Sequence, residues 1–222
     1  MIDLHFPPTT IVGKPVPKNA FYKHLEVNAR LRQHFVEDVA SIRWLYKLAP
    51  STLNIADGRQ VHEIVLFLAE LKTRDCPHDL FLFIDERMPR HLLFLLEYAE
   101  RYKVLLNYKE WKEGSSASFQ VIKTFTTAWL PAEQLQLSLE GQTMDALYES
   151  MAGQVSGFGT SNAADTRCFI ALQEELTKKQ KLLEVLQKRI RAERQFARQI
   201  ELNSEARALR RDIERLKEEL NE

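Results

Sequence analysis

From Asp165 to its last residue the chain has no proline and no glycine, and Leu, Glu, Lys, Arg, Gln and Ala dominate. A stretch of that length without a helix breaker can hardly be anything but helix. Within it Phe169, Leu172, Leu176, Leu183, Leu186 and Ile190 recur at three-four spacing, with Lys179 as the one polar interruption. Leu202, Ala206, Leu209, Ile213, Leu216 and Leu220 follow the same spacing again, out of phase with the first run. The slip falls between Phe196 and Asn203. It predicts either a skip in one continuous coiled coil or a break between two packed helices. Glu174/Lys178, Glu175/Lys179 and Glu184/Lys188 are i,i+4 pairs in the favourable order.

An isolated helix cannot bury such a seam alone. Leu172, Leu176, Leu183, Leu186, Ile190, Leu209, Ile213, Leu216 and Leu220 are therefore expected to contact a partner surface. That surface is either the chain's own globular part or another chain, a second copy included. Ahead of the tail, residues 153–165 (GQVSGFGTSNAAD) hold three of the seven glycines among small polar residues. They read as a flexible linker, which favours another chain as the partner. The expected plan is a globular domain over 1–152, a linker over 153–165 and an amphipathic helical tail over 166–222.

The first 152 residues read as α+β: a mixed sheet of about five strands flanked by helices. A proline-rich arm (Pro7, Pro8, Pro15, Pro17) leads to a short helix near 19–25. Asn28 is a good N-cap for an amphipathic helix over 29–48, with Leu31, Phe35, Val39, Ile42 and Tyr46 at helical spacing. Leu53-Asn54-Ile55 reads as a short strand and Asp57-Gly58 as a turn. The run 64–69 (IVLFLA) suits a strand covered on both faces. Pro77 opens a helix that reaches Met88, with Leu80, Phe83 and Ile84 inward. Two apolar runs around Ala99-Glu100-Arg101 make a hairpin, Gly114–Ser118 a loop, and Phe119 to Trp129 an alternating strand. Leu135, Leu137 and Leu139 alternate likewise, and Thr143 caps a helix through Met151.

Composition limits the partners. With 31 basic and 31 acidic residues the formal charge is zero, so any pull toward nucleic acid must come from a local patch. No apolar run approaches the roughly 20 residues that span a bilayer. The N-terminus lacks a basic start followed by an apolar run, so no signal peptide is expected. Cys76 and Cys168 stand far apart without CxxC spacing. A reduced cytoplasm is expected, and neither a disulfide nor a metal or cofactor site.

Glu70-Leu71-Lys72, at the end of the apolar strand, is the sharpest chemical candidate. Nucleases of the restriction-endonuclease type place Glu-x-Lys there, the carboxylate on Mg²⁺ and the lysine one pleat away beside the attacking water. Asp57, on the preceding turn, would supply the second carboxylate. A strand leaving a core also often ends in solvated charges, and the structural role is the expectation. Lys188, Arg189, Arg191, Arg194 and Arg198 form a local basic run able to grip a phosphate backbone, interleaved with Glu193 and Glu201. The six histidines show no metal-ligand spacing, and each is expected at the surface or partly buried. Asp85-Glu86 reads as a solvated helix end.

Several stretches together resemble a known family: KPVPKNAFYKHL with ARLRQHFVEDVASIRWLYKLAPSTLNI, then VHEIVLFLAELKTR with LFLFIDERMPRHLLFLLEYAERYKVLLNYKEW, and RAERQFARQIELNSEARAL in the tail. The pattern Ile84-Asp85-x-x-x-Pro89-x-x-Leu92-x-Phe94 is the most specific part. The family is one of small bacterial proteins known only as a domain of unknown function. Its members often lie near genes for helicases, methyltransferases and restriction-type enzymes. The resemblance carries over no catalytic residue. It implies a non-catalytic accessory subunit of a DNA-processing or anti-phage system, with a helicase or other DNA-processing enzyme as partner.

Overall fold

Two segments apolar along nearly their whole length set the centre of the sheet: β3 (Ile64–Leu71) and β4 (His91–Tyr98). They run parallel, from Ile64 opposite His91 to Glu70 opposite Glu97, and both faces are covered from Ile64 to Ala69 and from His91 to Leu96. That double burial is why neither shows alternation. Around them the computed structural model, which describes residues 2–24, 28–112, 119–158 and 163–220, builds a seven-stranded mixed sheet. Its order is β1 (Ile11–Pro15), β2 (Val39–Leu48), β3, β4, β5 (Arg101–Trp111) and β6 (Phe119–Thr126), with a two-residue β7 (Leu130–Pro131) beside the start of β5. Every neighbouring pair except β3/β4 is antiparallel.

One face is closed by α1 (Lys18–His24), α2 (Ala29–Glu37) and α4 (Asp79–Arg87). Phe21, Leu31, Phe35, Leu80, Phe81 and Ile84 pack there with Val65, Phe67, Ala69, Phe94 and Leu105 of the strands. Asn28 caps α2 as expected, its side chain accepting the Leu31 N–H at 2.9 Å. α5 (Met144–Ser156) lies against β5 and β6, capped by Thr143, whose hydroxyl accepts the Ala146 N–H at 3.1 Å.

Four local expectations are corrected. The helix expected over 29–48 ends at Glu37, and 39–48 is β2. Register shifts between Val39 and Ser41 and between Trp44 and Tyr46 insert extra residues into β2. The bulges turn a period of two into the three-four spacing that looked helical. Leu53-Asn54-Ile55 is not a strand. Pro50 starts a single helical turn, α3 (Pro50–Leu53), and Asn54, at φ 55°, ends it in the left-handed region that Asn tolerates.

Leu135, Leu137 and Leu139 lie outside any strand. The backbone of Ser138 is satisfied by a side chain instead: Gln154 Oε1 accepts its N–H at 2.7 Å, and Gln154 Nε2 donates to its carbonyl at 3.0 Å. Finally, α5 continues past Met151 to Ser156 and stops at Gly157, φ 77°, so the first residues of the expected linker are helical. The 114–118 loop lies outside the described residues.

The chain divides into two compact units, residues 1–162 and 163–222. The second is an antiparallel helical hairpin, α6 (Ala163–Ala192) and α7 (Phe196–Glu219), about 45 and 36 Å long at 1.5 Å per residue. Of the two arrangements the phase slip allowed, the break between packed helices is the one formed. Glu193 makes the turn, its carboxylate accepting the N–H groups of Arg194 and Gln195 at 2.8 and 2.9 Å. Leu186, Leu202 and Ala206 form the buried seam with Leu183 and Ile190 beside them. Lys179 joins Asp212 at 2.8 Å across the pair. Among the described residues no helix is long and apolar enough to cross a membrane.

Candidate functional site

The Glu-x-Lys pair stands at the carboxyl end of β3, as its sequence position requires. Glu70 is exposed, and Ser41 on β2 donates its hydroxyl to Glu70 Oε2 at 3.0 Å. On the other side Glu97 of β4 is in register with Glu70, and its Oε1 accepts the hydroxyl of Tyr102 at 3.0 Å. Burial, then that carboxylate, pushes the Tyr102 hydroxyl up to about 12. The row Ser41, Glu70, Glu97, Tyr102 thus crosses four strands, with each carboxylate held by a hydroxyl from its outer neighbour.

Lys72 is employed elsewhere. Its ammonium donates to the Val36 carbonyl at 2.7 Å, and its backbone N–H donates to the Asp38 carbonyl at 2.8 Å. Lys18 reaches the same place, donating to the Phe35 carbonyl at 2.7 Å and to the Val39 carbonyl. Burial and the neighbouring Lys72 charge lower the Lys18 pKa. Two lysines therefore close the C-terminal end of α2, where unpaired carbonyls and the helix dipole favour cations.

Asp57 does not join Glu70. Its Oδ1 accepts the Gly58 N–H at 2.9 Å and meets His62 Nδ1 at 3.0 Å, which holds its carboxyl below the usual range. His62 precedes β3 and Glu70 stands one residue before its end, and the six steps from Ile64 to Glu70 span about 20 Å at 3.3 Å per residue. The expected Asp57–Glu70–Lys72 trio cannot share one metal ion. The carboxylate that the fold does bring to the Lys72 end is Asp38, bound to His34 Nδ1 at 2.7 Å and accepting the Thr73 hydroxyl at 3.4 Å. Reading 29–48 as one helix had hidden it. Among the described residues no three His, Cys, Asp or Glu side chains converge on a point that could hold a metal ion.

A second polar cluster is fully enclosed. Asp85, expected at a solvated helix end, is 0% exposed and meets Lys109 Nζ at 2.6 Å. The same ammonium donates to the carbonyls of Asp85, Met88 and Arg90 at 2.9, 3.1 and 2.5 Å. Asn107 donates to Asp85 Oδ2 at 3.0 Å and accepts the Thr124 hydroxyl at 2.7 Å. His91, also buried, lies between the rings of Phe119 and Tyr148, and burial lowers its pKa to about 3. The Asp of the Ile-Asp-x-x-x-Pro pattern thus pins the end of α4 onto β5. With no solvent path to its atoms, this cluster is structural.

Of the hairpin residues expected to meet another chain, Leu183, Leu186 and Ile190 belong to the seam between α6 and α7. Leu186, Ile213 and Leu216 are buried, and Leu172, Leu176, Leu183, Ile190, Leu209 and Leu220 half-buried. Among the described residues of the hairpin four other large apolar side chains are exposed: Leu182 at 57%, Val185 at 47%, Phe196 at 76% and Ile200 at 54%. The only sequence trace of them is that they are apolar and off the seam's phase. Between 178 and 211 there are eleven basic and four acidic side chains. Arg198 pairs with Glu201 at 3.0 Å, and Lys179 with Glu175 and Asp212. Lys188, Arg189, Arg191, Arg194, Arg207, Arg210 and Arg211 make no ion pair among the described residues.

A comparison with curated proteins finds no match, and neither does one with solved structures. A family model does match, over residues 4–213, so both the sheet unit and nearly all of the hairpin lie within it. The chain belongs to the family described as Domain of unknown function (DUF4391).

Proposed function

We propose that the chain is a non-catalytic accessory subunit of a bacterial, cytoplasmic DNA-processing or anti-phage assembly, and that its helical hairpin holds the partner protein. The observation that carries this reading is the placement of exposed apolar side chains. Of the seven large ones among the described residues, four, Leu182, Val185, Phe196 and Ile200, lie on the hairpin. Leu182 with Val185 and Phe196 with Ile200 stand one helical turn apart, so each pair is contiguous, and contiguous exposed apolar groups rimmed by charge mark protein contacts. The unpaired cations around them favour an acidic partner surface. A helicase or other DNA-processing enzyme is the partner that the family resemblance suggests.

The test compares tagged wild type with Phe196→Ser/Ile200→Ser, both isolated from the native host and read by mass spectrometry. Because both side chains are exposed, the variant keeps its thermal midpoint. A DNA-processing enzyme enriched by wild type and lost by the variant is the expected result. Equal capture by both proteins would remove the hairpin from the reading.

The seven unpaired cations support a second reading, nucleic-acid backbone binding by the hairpin, centred on Lys188, Arg189, Arg191 and Arg194. Duplex binding that weakens steeply with salt, with a slope reduced in Arg189→Gln/Arg191→Gln/Arg194→Gln, would favour it over a protein partner.

A further inference from the structure

In open sheets with parallel strands, ligands collect in the crevice beyond the carboxyl ends of those strands. β3 and β4 are the parallel pair here. Beyond their carboxyl ends lies a pocket of about 460 Å³ lined by Arg74, Tyr98, Ala99, Arg101 and Trp129. That volume falls within the usual range for small-ligand sites. Arg74 follows β3 by three residues, Tyr98 is the last residue of β4, and Trp129 precedes β7.

Two aromatic rings and three cations meet at this place. Tyr98 and Trp129 stand edge to face, 6.4 Å between centroids, each half-buried with one side on the core. Lys103 holds its ammonium 5.1 Å from the centre of the indole. Arg101 donates to the Trp129 carbonyl at 3.4 Å, which fixes its stem at the rim. Among the described residues Arg74, Arg101 and Lys103 make no ion pair, and Glu100 is the acid on the adjoining turn. That turn is itself unusual. Ala99 and Glu100 adopt φ of 48° and 60°, a conformation that non-glycine residues rarely hold.

We infer that this pocket binds a nucleotide unit, with the base against Tyr98 and Trp129 and the phosphate on Arg74 and Arg101. Aromatic faces interleaved with unpaired cations are how proteins hold single-stranded nucleic acid without reading its sequence. An apolar ligand would leave Arg74 and Arg101 without an ion-pair partner, and a bare anion would make no use of the rings. The site lies wholly in the sheet unit, so it stands or falls independently of the hairpin.

The experiment uses the full chain and two probes: fluorescein-labelled (dT)12 by anisotropy, and thymidine monophosphate as its competitor. The expected result is salt-sensitive binding of (dT)12. Arg74→Ala/Arg101→Ala should weaken it at least tenfold and flatten the log–log salt slope by about 0.7, for the one phosphate no longer neutralised. Tyr98→Leu should weaken it about fivefold or more without changing that slope, a split that mere structural damage would not give. Competition by the monophosphate at comparable concentration assigns the pocket to free nucleotides, and its absence assigns it to a strand. Both losses should persist in an Arg189→Gln/Arg191→Gln/Arg194→Gln background, which removes the hairpin's cations. Wild-type affinity in Arg74→Ala/Arg101→Ala, or failure of both probes to bind, overturns the inference.

Discussion

Asp85 and Lys109 illustrate how a single contact can be decisive and still invisible in the sequence. They lie 24 residues apart and meet at 2.6 Å with neither side chain exposed. Removing one partner strands the other charge in the core. Lys109→Met is therefore expected to cost about 3–5 kcal/mol in urea melts, and Asp85→Leu/Lys109→Met to recover most of it. Two buried groups give the sheet unit opposed pH responses. His91 has its pKa lowered to about 3 by burial, so the unfolded chain takes up its proton first. Stability should fall as pH drops from about 6.5 toward 3. Asp85 is pushed up to about 6, burial outweighing the attraction of Lys109. Its penalty is fully present above pH 6 and fades as pH falls toward 4. His91→Phe isolates the first effect: relative to wild type it should gain about 2–3 kcal/mol between pH 7 and 4.5. Thermal melts across that range would show it, and parallel curves would refute it.

At the scale of elements, turn chemistry and bulges decide what a pattern means. The β4–β5 hairpin was legible because two apolar runs flank a short polar break. Its conformational cost was not, since Ala99-Glu100 fill positions that Asn-Gly would suit better. Glu100→Gly should stabilise by about 1 kcal/mol, raising the thermal midpoint by roughly 2–4 °C. An unchanged or lower midpoint would mean that Glu100 makes a compensating contact. β2 was misread for the converse reason. Its two register shifts hide a strand behind helical spacing, and only pairing with β3 reveals it. Asn28 and Thr143 were legible as caps because a cap is settled by one side chain and the backbone three residues on.

Across the molecule, length along a strand is what separates the residues of the nuclease reading. Asp57 belongs to the amino end of β3, and Glu70 and Lys72 to its carboxyl end. Glu70→Ala and Lys72→Met are therefore expected to leave DNA handling unchanged, with no Mg²⁺- or Mn²⁺-dependent cleavage by wild type or variant. Lys72→Met should also lower stability by about 0.5–1 kcal/mol as α2 loses a cation at its C-terminal end. EDTA-sensitive cleavage by wild type that disappears in Glu70→Ala would overturn the non-catalytic proposal. In the tail, helix content was legible from 58 residues without proline or glycine, counted from Asp165. The partner of its seam was not, because an apolar stripe specifies that it must be covered and says nothing of what covers it. Here α7 covers part of α6.

The sequence by itself determined the features whose causes lie within a few residues: the doubly buried β3 and β4, the β4–β5 hairpin, the caps at Asn28 and Thr143, and the long helices of the tail. Their signals are periodicity, propensity and capping, all read inside one turn or one strand. Only the tertiary structure decided the pairing of β2 with β3 through its bulges, the burial of Asp85 against Lys109, the distance between Asp57 and Glu70, and the pocket at Tyr98 and Trp129. Each of these joins positions distant along the chain. Their meeting depends on strand register and crossover, and one residue of slip would send every side chain to the opposite face.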